Sequence, residues 1–191
     1  MNEILLDFWA WAYKKALVAL TQPAGGIGIV RELGTGYSVE EERMTNIERL
    51  RGLCDEAVAN PAFAPRGGRT FCNFAARFVA EGMGFFGFPS VILANDMIEL
   101  LAVTPGWTED SIARAHLHAS RGGLAFLALT EYPHGHLAAV YPAPMEASGT
   151  WGEDVPILAN VGRENGIKKT SAVYRVDKRP LIRAFLFGET A

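Results

Sequence analysis

Cysteine is scarce: Cys54 and Cys72 are the two thiols in 191 residues. Two cysteines in unrelated local patterns cannot build the disulfide framework of a small secreted domain, so a reduced chain is expected. An excess of charge of one sign is lacking as well. Eighteen Lys and Arg against 21 Asp and Glu give a formal net charge of -3, which leaves no electrostatic footprint for nucleic acid or for an anionic membrane surface. No apolar stretch approaches the roughly 20 uninterrupted residues that a membrane span requires. The opening segment "MNEILLDFWAWAYKKALVAL" is broken by Asp7, Lys14 and Lys15. It has no basic stretch ahead of an unbroken apolar one, so it reads as a helix rather than a signal peptide, with a cytoplasmic location by default. Signatures of bound groups are missing too. The Gly-rich "TQPAGGIGIVRELGTGYS", with a short strand expected at 27–30, has no strand before it and no Gly-Lys-Ser/Thr after it, so no phosphate loop is expected there.

What is present is one domain's worth of apolar sequence, since 49% of the residues are hydrophobic and the length suits a single core. The chain reads as a single domain, 1–191, divided into a helical N-terminal extension over 1–69 and a core over 70–191. Ser38 followed by Glu41 fits a capping box, and Met44, Ile47, Leu50, Cys54, Ala57 and Val58 recur at helical spacing. Cys54 on that stripe is expected to be a small core residue. "NPAFAPRGG" reads as a loop. A helix is expected from Thr70, with Phe71, Phe74, Ala75, Phe78 and Val79 on one face and Gly82 and Gly84 at its end. Further helices are expected near 95–103 and 108–120, capped by Asn95 and Thr108. Beyond "RGG" the pattern changes to short apolar or alternating runs at 124–129, 136–142, 155–162, 171–176 and 181–187, which predict strands. Helices first and strands second predict an α+β fold with a mostly antiparallel sheet of about five strands.

Cys72 falls in the first turn of its predicted helix, where unpaired N–H groups and the positive end of the helix dipole favour a thiolate. A nearby His adds to that effect. The small Ala75 and Ala76 are expected to leave room for a substrate beside the sulfur, and the first-turn N–H groups to contribute to an oxyanion hole. A cysteine nucleophile needs a base held in one tautomer by a third group. His116 and His118 sit two apart in a predicted helix and cannot both face one site. His134 and His136 flank a glycine at the start of a strand. His136 is preferred because it shares a face with Ala138 and Val140, with His134 as the alternative. Asn160 on the following strand is the candidate orienting residue, with Glu153 and Asp154 as alternatives.

Taken together, "TFCNFAARFV", "GHLAAVYP" and "VPILANVG" resemble the papain-like cell-wall amidases of the NlpC/P60 and CHAP type, over roughly residues 70 to 162. The resemblance implies a papain-like core with the N-terminal helices packed on its sheet. It also implies a cysteine hydrolase that cleaves amide bonds in peptidoglycan through an acyl-enzyme. On that reading Cys72 is the nucleophile, His136 the base and Asn160 the third polar residue, with no metal and no cofactor. Action on a wall would then require release by phage lysis or dedicated secretion. Asn73, Trp107 and Trp151 are candidate substrate contacts, and Arg66, Arg69, Arg77 and Arg121 are candidates to meet stem-peptide carboxylates.

Three other readings compete. A papain-like protease or deamidase would act on a protein substrate with the same residues. A metal hydrolase could be built on His134, His136 and Cys72, but it lacks a fourth ligand at familiar spacing and any His-Glu-x-x-His motif. A non-catalytic binding module would keep the fold and leave Cys72 as an inert buried thiol.

Overall fold

The computed structural model describes residues 39–188. The helix expected over the first 20 residues, the strand at 27–30 and the Ser38 cap lie outside the described residues. Residues from Val39 onward cluster as one compact unit, which takes in both the helix at 39–59 and the helix that opens at Cys72.

The fold is α+β. Its helices are α1 (Val39–Ala59), α2 (Cys72–Gly82), α3 (Ala94–Val103), α4 (Ile112–Ala119) and the single turn α5 (Thr170–Val173). Its strands are β1 (Trp107–Asp110), β2 (Ala125–Leu129), β3 (His136–Val140), β4 (Glu146–Ser148), β5 (Glu153–Val155), β6 (Ile157–Asn160), β7 (Gly166–Lys169) and β8 (Ile182–Phe187). Six strands form one sheet in the order β1-β8-β2-β3-β6-β7, every pairing antiparallel, and β4 and β5 form a separate hairpin. Among the described residues, no helix is long and apolar enough to cross a membrane.

The sheet's centre explains its sequence. β2 lies between β8 and β3 and is buried along its whole length, so "AFLAL" is a continuous apolar run rather than an alternating one. α2 packs on β3, α1 on α2 and on β6 and β7, and α4 on β2 and β8. Cys54 is fully buried on α1, as its place on the apolar stripe predicts, and burial pushes its thiol up to about 12.

Three local assignments differ from the expectation. Residues 108–110, predicted as the start of a helix capped by Thr108, belong to the edge strand β1. The helix begins at Ile112, where Ser111 accepts a hydrogen bond from the Arg114 N–H. The edge assignment follows from Trp107, whose ring packs among Phe85, Phe88, Phe126 and Phe187 while the backbone pairs with β8. Asn95 likewise caps nothing: the residue at the cap of α3 is Leu93, and the Asn95 amide instead donates to the Glu131 carbonyl at 3.1 Å. The run 171–176, predicted as a strand, is the turn α5 followed by a 3-10 segment at Val176–Leu181. Thr170 donates its N–H and its hydroxyl to the Pro156 carbonyl at 2.9 and 2.7 Å, which starts a helical turn there. That turn sends the Tyr174 hydroxyl under β2 to the Leu127 carbonyl at 2.8 Å. A tertiary contact thus overrides an alternating pattern that would suit a strand.

Since Trp107 is built into this aromatic cluster, Trp107→Ala is expected to lower unfolding stability by about 3 kcal/mol. Urea denaturation monitored by circular dichroism measures it, and a change under about 0.5 kcal/mol would return Trp107 to the role of an exposed binding residue.

Candidate active site

The β3–β6 register brings the two polar residues together. Ala139 pairs with Ala159 and Val140 with Leu158, so one further step sets Ala138 opposite Asn160 and leaves His136 as the diagonal neighbour on the same face. His136 Nε2 and Asn160 Oδ1 are 2.9 Å apart. The Asn160 amide nitrogen donates to the Glu164 carbonyl at 2.8 Å, which turns the amide so that its oxygen faces the imidazole. The imidazole therefore carries its proton on Nε2 and keeps a lone pair on Nδ1. His134 lies exposed in the preceding loop. Glu153 pairs with Arg179 at 2.8 Å. Asp154 is an exposed residue of the β4–β5 hairpin, opposite Ala147.

Gly135 lets this strand start where it does. A Cβ on it would meet the Asn95 side chain and would lie 2.9 Å from the Leu129 carbonyl. A backbone atom at that separation cannot yield.

Cys72 is the first residue of α2, one position beyond Phe71 at the cap, and no side chain caps this helix. The helix does not start at Thr70 as expected, because the chain before it is tied into a tight turn (Arg66–Arg69) and Thr70 is left exposed at the surface. With no capping oxygen, early N–H groups of the helix stay available. Those of Cys72 and Asn73, together with the N–H of Leu137 on β3, are directed at the Cys72 sulfur. Leu137 is the residue after His136, so the sulfur sits against the start of the strand that carries the imidazole. Tyr174 lies against the imidazole: its ring meets the His136 ring edge-on at 5.6 Å, while its hydroxyl donates to the Leu127 carbonyl.

Burial dominates the electrostatics. The helix start was expected to depress the thiol, but Cys72 is 5% exposed and burial pushes it up, against the three N–H groups that pull it down. Burial also lowers His136, with the Asn160 hydrogen bond acting in the opposite direction. Both shifts favour a neutral thiol beside a neutral imidazole.

The alanines differ from the expectation as well. Ala75 and Ala76 do not open a substrate cavity beside the sulfur. They face Ala57 on α1 and Leu137, Ala138 and Ala139 on β3, and enclose a cavity of about 10 Å³, room for about one water. The phenylalanines do not form the buried face of α2. That face is Cys72, Ala75, Ala76, Val79 and Ala80, while Phe71, Phe74 and Phe78 flank it half-buried.

The remaining candidates lie away from this cavity. Asn73 donates to the Ile92 carbonyl at 2.6 Å and ties α2 to the loop before α3. Trp107 stands in its aromatic cluster on β1. Trp151 is buried at the turn of the β4–β5 hairpin, with the Arg179 guanidinium 5.5 Å above its ring. Arg77 pairs with Glu81 at 2.6 Å along α2. Arg121 is exposed just after α4. Among the described residues, no group of His, Cys, Asp and Glu is arranged to hold a metal ion.

The sequence reading did not single out Tyr174 or Arg163. Tyr174 was masked by its strand-like surroundings. Arg163, in "NVGREN" directly after Asn160, could have been found from its place in the turn that leaves the site. No family model and no curated protein matches this chain.

Two outcomes are expected. Gly135→Ala should destabilise the protein by about 1–3 kcal/mol and disturb the His136 ring, seen as a displaced imidazole resonance by NMR. His136 also makes stability depend on pH. Its folded pKa lies below the unfolded value, so the unfolded chain binds more protons in the window below about 6.5 and stability falls as pH falls through that window. His116, lowered by burial, contributes in the same direction. Thermal melts between pH 7 and 5 should therefore slope downward in the wild type and slope less in His136→Gln.

Proposed function

We propose that this protein is a cysteine hydrolase that cleaves amide bonds through an acyl-enzyme, with peptidoglycan, at the sugar–peptide link or within the stem peptide, as the substrate. The observation that carries this reading is the His136 imidazole, held at Nε2 by an Asn160 amide that is itself oriented by the Glu164 carbonyl. This arrangement fixes the tautomer and leaves Nδ1 unprotonated, which is what a base serving a cysteine nucleophile requires.

The steps follow from the neutral resting pair. The Cys72 thiol gives its proton to His136 Nδ1 as the sulfur attacks the amide carbonyl carbon, forming the S–C bond. The N–H groups of Cys72 and Asn73 stabilise the negative charge, first on sulfur and then on the carbonyl oxygen. The Nδ1 proton passes to the amide nitrogen, the C–N bond breaks and the amine leaves. Water, deprotonated by His136, then cleaves the thioester. Tyr174 holds the edge of the imidazole throughout. The raised thiol means that substrate must supply contacts that favour the imidazolium–thiolate pair.

A second reading has one observation in its favour. The near-complete burial of Cys72 suits an inert thiol in a non-catalytic module of the same fold. A papain-like protease or deamidase would use the same residues on a protein substrate.

Incubation of the wild type and Cys72→Ala with peptidoglycan sacculi, followed by mass spectrometry of the soluble products, tests the proposal. New fragments from the wild type alone are expected, with their masses naming the bond. Asn160→Ala is expected to slow their release by about 10²-fold through loss of the imidazole's orientation. Absence of fragments together with a Cys72 that iodoacetamide alkylates no faster than a free thiol would establish the inert module instead.

A further inference from the structure

A cleft of about 430 Å³ opens beside the Cys72 helix, lined by Pro65, Arg66, Gly67, Gly68, Arg69, Thr70 and Arg163. Its floor is built from the sequence "RGGR". Arg66 N–H donates to the Arg69 carbonyl at 3.1 Å and Arg69 N–H to the Arg66 carbonyl at 3.0 Å. Gly67 and Gly68 both take positive φ, at 56° and 72°. This is a two-residue hairpin turn of the type that needs left-handed backbone at both central positions, which glycine supplies. The turn fixes the register and sets the two arginines directly opposite each other.

Like charges in that relation repel, and no carboxylate among the described residues relieves them. Among the described residues no Asp or Glu lines the cleft, and no carboxylate pairs with Arg66, Arg69 or Arg163. Arg66 is held by a ring instead, its guanidinium 4.6 Å from the centre of Phe71. Arg163 comes from the β6–β7 turn, and its neighbour Glu164 is engaged by Lys168 at 2.9 Å. Three guanidinium groups thus line one cleft with no counter-charge from the described residues.

The position of the cleft gives this charge a use. Thr70 is two residues before Cys72, and Arg163 is three residues after Asn160. The cleft therefore adjoins the two segments that carry the nucleophile and the orienting amide. Resting on the amide-hydrolase reading above, we propose that this cleft is an anion subsite in which Arg66, Arg69 and Arg163 receive a carboxylate of the substrate. The amide that is cut then belongs to an acidic, peptide-like chain. Guanidinium forks suit carboxylate and phosphate oxygens alike; the amide chemistry at Cys72 selects the carboxylate.

The test uses the full chain carrying Cys72→Ala, titrated by NMR with N-acetyl-alanyl-alanine and with its C-terminal carboxamide. The free acid should bind about 10-fold more tightly than the carboxamide. That advantage should vanish when Arg69→Gln and Arg163→Gln are added. Both arginines are exposed, so the variant retains its fold, and Arg163→Gln alone should lose part of the effect. Equal affinity for acid and carboxamide, or an advantage that survives both substitutions, overturns the subsite. Inorganic phosphate that displaces the acid and binds more tightly than it does overturns the assignment to a carboxylate. Wild-type Cys72 that iodoacetamide alkylates no faster than a free thiol, with the preference for the acid intact, overturns the hydrolase reading and leaves the anion subsite standing.

Discussion

The close seating of α2 on β3 is the constraint from which the candidate site follows. Alanines at 75 and 76 on the helix and at 138 and 139 on the strand let the two backbones approach until only a water-sized cavity remains. That approach delivers the Leu137 N–H to the Cys72 sulfur and puts the sulfur beside the strand that begins with His136. It also removes the water that would otherwise hydrate a thiolate. A larger side chain at any of these positions would lift the helix and move Cys72 away from β3.

Burial and hydrogen bonding then act against each other at both titrating groups. Desolvation opposes charge on Cys72 and on His136, while the N–H groups on sulfur and the Asn160 oxygen on the imidazole favour it. Burial thus favours the neutral form of both groups. Such a balance makes the site sensitive to whatever enters beside it, because a ligand that changes the local dielectric or adds a counter-charge changes which form is stable. Arg66, Arg69 and Arg163, which line the neighbouring cleft and form no ion pair among the described residues, are exposed, so water screens their charge.

Much of this was legible in the chain. Four of the five strands predicted from the apolar runs are present, and the "RTFC" and "GH" segments mark the starts of α2 and β3. The Asn160 partnership with His136 was suggested by chain order and is realised as a hydrogen bond. Residues 171–176 misled because alternation reports which side chains are buried, not what covers them; Thr170 and Tyr174 are satisfied only by Pro156 and Leu127, far away in sequence. Trp107 misled for a related reason, since its strand carries an aromatic ring into a cluster assembled from three other segments.

The sequence by itself determined the α+β class, the antiparallel sheet, the burial of Cys54 and the identity of the polar residues that meet at β3 and β6. These depend on periodicity and turn chemistry, which are local. Only the tertiary structure decided that the Cys72 thiol is pushed up rather than down, that Tyr174 braces the imidazole, and that three arginines share one cleft. The direction of a pKa shift depends on how much water the surrounding elements exclude, and a shared cleft depends on which turns meet. Neither quantity exists until the helix is seated on the sheet.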